Sequence, residues 1–168
     1  MTALNARKLD FKKKENNQEK GFAVSEIREK LAKYCAYQDR CHWEVENKLN
    51  EFFVIPEVKE EIIIYLIQNN FLNEERFAKS FVQGKFNQKN WGRIKIRSEL
   101  KKRKIPIKMI ESALNEIDED QYQSTLAELF EKKNNSLKSE RDSFKKKFKI
   151  QNFLLQKGFE RENIHSLF

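Results

Sequence analysis

From Ser25 onward, apolar residues recur at three- and four-residue spacing, the period of a helix that buries one face. Ser25 reads as an N-cap with Arg28 at N3, and Ile27, Leu31, Tyr34 and Cys35 follow as the inward face of a first helix. Trp43, Val45, Leu49, Phe52 and Phe53 mark a second helix. After Ile55 and Pro56 a third runs from Glu57, with Val58, Ile62, Ile63 and Leu66 inward.

The same order of signals then returns. Asn73 caps a helix with Arg76 at N3 and Phe77, Ala78, Phe81 and Val82 inward. Trp91, Ile94, Ile96 and Leu100 mark a middle helix, and Ile105 and Pro106 precede Met109, Ile110, Ala113 and Leu114. In the last third Tyr122, Leu126, Leu129 and Phe130 form one helix, Phe144, Phe148, Ile150 and Leu154 a second, and Phe159, Ile164, Leu167 and Phe168 a terminal one. Leu49, Leu100 and Leu154 occupy equivalent places, 51 and 54 residues apart, which is the signature of a modular array. The pattern predicts an all-α fold of three tandem three-helix repeats, over 23–71, 72–118 and 119–168, forming an elongated, curved module. Residues 1–22 mix Lys, Asn, Gln and Glu with few apolar positions and read as a disordered, flexible basic tail. The competing reading is one compact helical bundle whose segments resemble each other by accident.

Composition supports helices, because only 4 Gly and 2 Pro interrupt 168 residues. The longest apolar run, Ile62 to Ile67, is far short of the roughly 20 residues a bilayer span needs. The N-terminal cations lack a following apolar stretch, so the chain reads as cytoplasmic, without a secretory signal. Cys35 and Cys41 read as structural thiols. His42 beside Cys41 finds no second ligand pair, so no metal or other cofactor is expected. No glycine-rich phosphate loop, Ser–His–Asp set or paired carboxylates outside solvated helix faces is present, and the chain does not read as an enzyme.

Charge changes the picture most. The net charge is +8, yet residues 25–75 are net acidic while residues 76–108 hold 12 cations and one carboxylate, Glu99. On a helical wheel Arg93, Arg97, Lys101 and Lys104 fall within about 80° of one another beside the inward Ile96 and Leu100. Like charges stacked at i and i+4 oppose the helix, and within the segment only Glu99 offsets them, so an anionic partner surface is expected there. Lys85 lies in the same basic segment, and Arg76 at its edge suits either this surface or an ion pair between repeats. Trp91 and Phe86 suit core or loop anchors better than base-stacking platforms. Lys145, Lys146, Lys147 and Lys149, near Glu128, Glu140 and Asp142, read as a solvated face.

The stretch Phe71–Ile105 resembles the central signature of the RecX regulatory family: Glu75, Arg76, Phe77 and Ala78 after an acidic residue, then Gly92, then Ile94, Ile96, Glu99 and Leu100 leading to Ile105. Phe153 to Ile164 is similar to the family's last-repeat pattern, so the likeness covers about residues 25–168. Two positions depart from it. Arg40 and Cys41 stand where an Arg-Ser capping pair is common, and Lys104 stands where a turn glycine is usual, which asks a lysine to take a position suited to φ > 0. The resemblance implies three tandem three-helix repeats and a negative regulator that binds the RecA filament on DNA, inhibits recombinase, ATPase and co-protease activities, and modulates DNA repair and the SOS response. Arg76, Lys85, Arg93, Arg97, Lys101 and Lys104 are then the residues expected to meet the filament, with weak direct DNA binding through the second repeat and a monomeric state. A sequence-reading or non-specific DNA-binding helical protein, and an adaptor for another acidic assembly, are the alternative classes.

Overall fold

A computed structural model describes residues 23–168; the tail expected over 1–22 lies outside them. The described residues form nine helices and no strands. The first three are α1 (Val24–Tyr37), α2 (His42–Asn50) and α3 (Pro56–Gln68). Next come α4 (Glu74–Lys89), α5 (Arg93–Lys102) and α6 (Ile107–Leu114), then α7 (Glu119–Ser136), α8 (Ser143–Lys157) and α9 (Arg161–His165). The densest helix–helix packing stays within each group of three. The groups are three tandem units, and every hydrogen bond or ion pair recorded between units joins neighbours in the series, such as Arg76 to Asp39 and Lys157 to Lys89.

Leu49, Leu100 and Leu154 are all fully buried. Four residues after each, the chain passes through a left-handed residue, at Phe53 (φ 51°), Lys104 (φ 60°) and Gly158 (φ 92°). The next residue, Val54, Ile105 or Phe159, then turns back toward the core. Only the third unit uses the residue that takes this conformation freely; a side chain there costs about 1–2 kcal/mol. Lys104 therefore accepts the conformation that the usual glycine would supply.

Several inward assignments change. Ala23, not Ser25, is the N-cap of α1, because Val24 packs on the first core and draws the helix start two residues earlier. Phe53 is 86% exposed, since the left-handed turn swings it out of α2's buried face. Ile94, Phe144 and Phe148 also face solvent, the first because Ile96 and Leu100 already fill α5's inward face. Asn73 does cap α4: its side-chain oxygen accepts from the Arg76 N–H at 2.9 Å.

Two apolar cores hold the chain. Ile27, Leu31, Val45, Leu49, Ile62 and Leu66 build the first, inside the first unit. The second runs without interruption through units two and three, from Val82, Phe86, Ile96 and Leu100 to Tyr122, Leu126, Leu154 and Phe159. At that seam Gly92 and Gly158 lie backbone to backbone, so a Cβ on Gly92 would overlap the Gly158 carbonyl. The Gly92 N–H donates to the Lys157 carbonyl at 2.9 Å and the Ile94 N–H to the Gly158 carbonyl at 3.0 Å, satisfying donors at the start of α5. Two lysines return the favour across the seam: Lys95 Nζ donates to the Gln156 carbonyl at 3.2 Å and Lys157 Nζ to the Lys89 carbonyl at 3.0 Å. Units one and two meet through polar groups instead, with Cys41 alone of unit one joining the shared core. Arg76 and Ser80 both donate to Asp39, while Glu44 lies 3.8 Å from Arg40 and 3.6 Å from Arg103, too far for hydrogen bonds.

Candidate interaction surface of the second unit

α5 carries its cations on the flank of the face that Ile96 and Leu100 bury. Arg93 is pinned at the seam. Its Nη2 donates to Glu119 at 2.9 Å, its guanidinium lies 4.0 Å from the centre of the Tyr122 ring, and its N–H donates to the Tyr122 hydroxyl at 3.1 Å. That hydroxyl donates to Glu160 at 2.6 Å; burial, and then this acceptor, push its pKa upward. Arg97 forks onto Glu111 with two bonds of 2.8 Å. The hydrogen bond from Arg97 draws the Glu111 pKa below the usual carboxylate range, and bonds from Gln123 and Arg93 do the same for Glu119.

The expectation that Glu99 alone offsets the basic segment is thus corrected. Glu111 and Glu119 arrive from α6 and α7 to pair Arg97 and Arg93, while Glu99 pairs Lys102 and Arg103. Lys101 and Lys104 are exposed and have no carboxylate within ion-pair distance among the described residues; Lys101 only adds to the field that lowers the Glu111 pKa. They are the outward remainder of the four-residue stripe.

Arg76 faces the first unit. Its Nε donates to Asp39 at 2.7 Å, and its two Nη atoms donate to the Asn70 side chain (3.1 Å) and to the Asn70 and Phe71 carbonyls (3.0 and 3.3 Å). Burial works against Asp39 ionising, but the bonds from Ser80 and Arg76 outweigh it and lower its pKa. Lys85 projects from α4 with Nζ 5.0 Å from the Phe81 ring centre and 5.3 Å from that of Trp91. Trp91 is half-buried and Phe86 buried, where Phe86 stacks on Tyr122. Lys145 and Lys149 pair with Asp142 and Glu140 on an exposed face. Cys41 is buried, with its thiol pushed up to about 11 by that burial, and His42 lies 3.4 Å from Glu74.

Asp39, Glu111, Glu119 and Glu160, and Lys157 on the Lys89 carbonyl, are partners that helical periodicity does not reveal, because each reaches its cation, hydroxyl or carbonyl from another helix or loop. A weak signal existed for one of them: Asp39 and Asn90 sit at equivalent loop positions two residues before the start-capping Cys41 and Gly92.

Residues 73–114 match the family model described as RecX, second three-helix domain, and residues 119–168 match RecX, third three-helix domain. The regulatory protein RecX of Yersinia enterocolitica is 30% identical over 148 residues, covering 86% of this chain and 86% of that protein. Its counterpart from Serratia proteamaculans is 32% identical over 115 residues, covering 68% of this chain and 66% of its own length, just under two thirds. The crystal structure of RecX from Lactobacillus salivarius matches with a TM-score of 0.76 at 29% identity, covering 86% of this chain and 93% of that one. A second crystal structure of regulatory protein RecX, 22% identical with a TM-score of 0.76, covers 84% of this chain and 70% of that one and speaks to the fold.

Proposed function

Because the chain belongs to the RecX family of regulatory proteins, we propose that it is a non-enzymatic negative regulator of RecA that binds the RecA filament on DNA. On this reading it acts in the cytoplasm as a monomer, restrains the recombinase, ATPase and co-protease activities of RecA, and so modulates DNA repair and the SOS response. The observation that carries the reading is the match over 86% of both this chain and the Yersinia enterocolitica regulatory protein. The filament contact is assigned to Lys101, Lys104 and Lys85, cations without a carboxylate partner among the described residues, on a unit carrying most of the positive charge. Arg93 and Arg97, paired to Glu119 and Glu111, hold the helix that presents them, and Arg76 holds the unit against its neighbour.

A helix-turn-helix reader of DNA sequence fits less well, because the α5 arginines that would address bases are engaged by carboxylates and the first turn of α5 is closed by Gly158. The test is DNA-dependent ATPase and strand exchange by the cognate RecA, with and without the protein. Inhibition at near-stoichiometric protein is expected on random DNA; no effect on RecA, together with strong preference for one DNA sequence, would favour the reader.

A further inference from the structure

α4 has one glycine, Gly84, in the middle of its sixteen residues. Glycine there weakens a helix, so it calls for a reason. The seam supplies that reason for Gly92 and Gly158, whose added Cβ atoms would strike backbone; at Gly84 a Cβ would meet nothing within 4 Å. Gly84 lies instead in an open cleft of about 300 Å³ between the loop after α1 and the outer side of α4. Its polar lining is Gln38, Asp39, Ser80, Lys85, Gln88 and Lys89, and Phe77 and Phe81 line it as well.

The cleft's carboxylate is already spoken for, since Asp39 accepts from Arg76 at 2.7 Å and from Ser80 at 2.6 Å. Lys85 and Lys89 have no carboxylate partner among the described residues. Of its two apolar side chains Phe77 is buried, and Phe81 is half-buried with Lys85 and Arg103 each 5.0 Å from its ring centre, so a peptide finds little open apolar surface to anchor on. Lys85 lies over the nearby Phe81 and Trp91 rings, and Lys95 lies 4.6 Å from the Trp91 ring centre, so stacking faces for bases are occupied. What remains is a bare stretch of helix beside two cations and two amides, matched to a chain of phosphates read without regard to sequence.

We infer that the cleft over Gly84 seats the phosphodiester backbone of a DNA strand, held by Lys85 and Lys89 and approached closely because Gly84 has no side chain. The inference rests on the filament reading for the presence of DNA, while the site itself rests on the cleft.

The test uses the full chain and a labelled oligothymidylate, with affinity followed by fluorescence anisotropy across a salt series. Gly84→Leu is the decisive variant: the space around Gly84 lets the side chain in, so the melting temperature rises while oligonucleotide affinity falls at least tenfold. Lys85→Ala with Lys89→Ala gives a comparable loss and makes the log–log salt slope shallower by about 1.4, the value for two single-strand phosphate contacts. A Gly84→Leu protein that melts higher and binds as before overturns the site; should that variant melt lower, unchanged affinity in the folded lysine pair overturns it. Displacement of the oligonucleotide by polyglutamate of equal charge, at equal concentration, also overturns it, by making the seat one for acidic peptide. Lys101→Ala with Lys104→Ala keeps oligothymidylate affinity within threefold while losing RecA inhibition, so failure of the cleft and failure of the filament reading appear in different assays.

Discussion

Arg76 uses its Nε and both Nη atoms inside the chain, which makes it the residue that fixes the first unit against the second. Arg76→Ala should lower unfolding free energy by about 1 kcal/mol, a modest figure because the Asp39 pair is partly exposed and screened. Denaturant unfolding checks it. Asp39 also sets a pH dependence. Its pKa is lower in the folded protein, so folded chains bind fewer protons, and the stability it contributes is complete above the ordinary carboxylate range. That contribution is lost as pH falls through about 4 toward the folded value. The melting temperature should therefore drop on acidification, and Asp39→Asn, less stable at neutral pH, should flatten that drop; an unchanged slope would assign the effect to Glu111 and Glu119, which shift in the same direction. At this scale the sequence was least legible. The basic stripe could be listed from spacing, but Glu111 lies fourteen residues from Arg97 on another helix, and only packing of α5 against α6 brings them to 2.8 Å.

Helices were far more legible, because the period of buried positions is a property of each segment alone. Leu49, Leu100 and Leu154 read as equivalent from spacing and are equivalent in burial. What spacing missed sits at the ends: Ser25 has the right chemistry for a cap, yet burying Val24 decided where α1 starts. The repeated left-handed turn gives an element-scale prediction. Lys104→Gly and Phe53→Gly each remove the cost of a side chain at positive φ, offset in part by the extra freedom glycine has when unfolded. Each should raise stability by about 0.5–1 kcal/mol in thermal unfolding. Gly92→Ala is the opposite case, because its Cβ has no room against the Gly158 backbone; a loss of about 2–4 kcal/mol is expected, visible as loss of helix signal at lower temperature.

For the whole molecule, hydrogen bonds and ion pairs that join only successive units among the described residues imply a long shape. A compact domain of this size has a radius of gyration of about 15 Å. Small-angle scattering of protein lacking residues 1–22 should give a clearly larger value with a skewed distance distribution. Binding to DNA-loaded RecA should weaken steeply between low and moderate salt, as expected for a contact through unpaired lysines. A flat response would move the main contact to apolar residues such as Ile64 and Ile67, which are exposed on α3.

The capping of α5 by the Gly158 carbonyl also bears on how the chain is made. A ribosome delivers the N-terminal residues first, and the first unit, which has its own core, has all it needs once Leu72 has emerged. The second unit is in a different position. Its central helix begins at Arg93, but the acceptor for the Ile94 N–H and the aromatic Phe159 beneath it follow only after α6, α7 and α8. The basic helix therefore reaches its final form only once the third unit has followed it, and a chain cut short before Gly158 would leave the first turn of α5 without that acceptor.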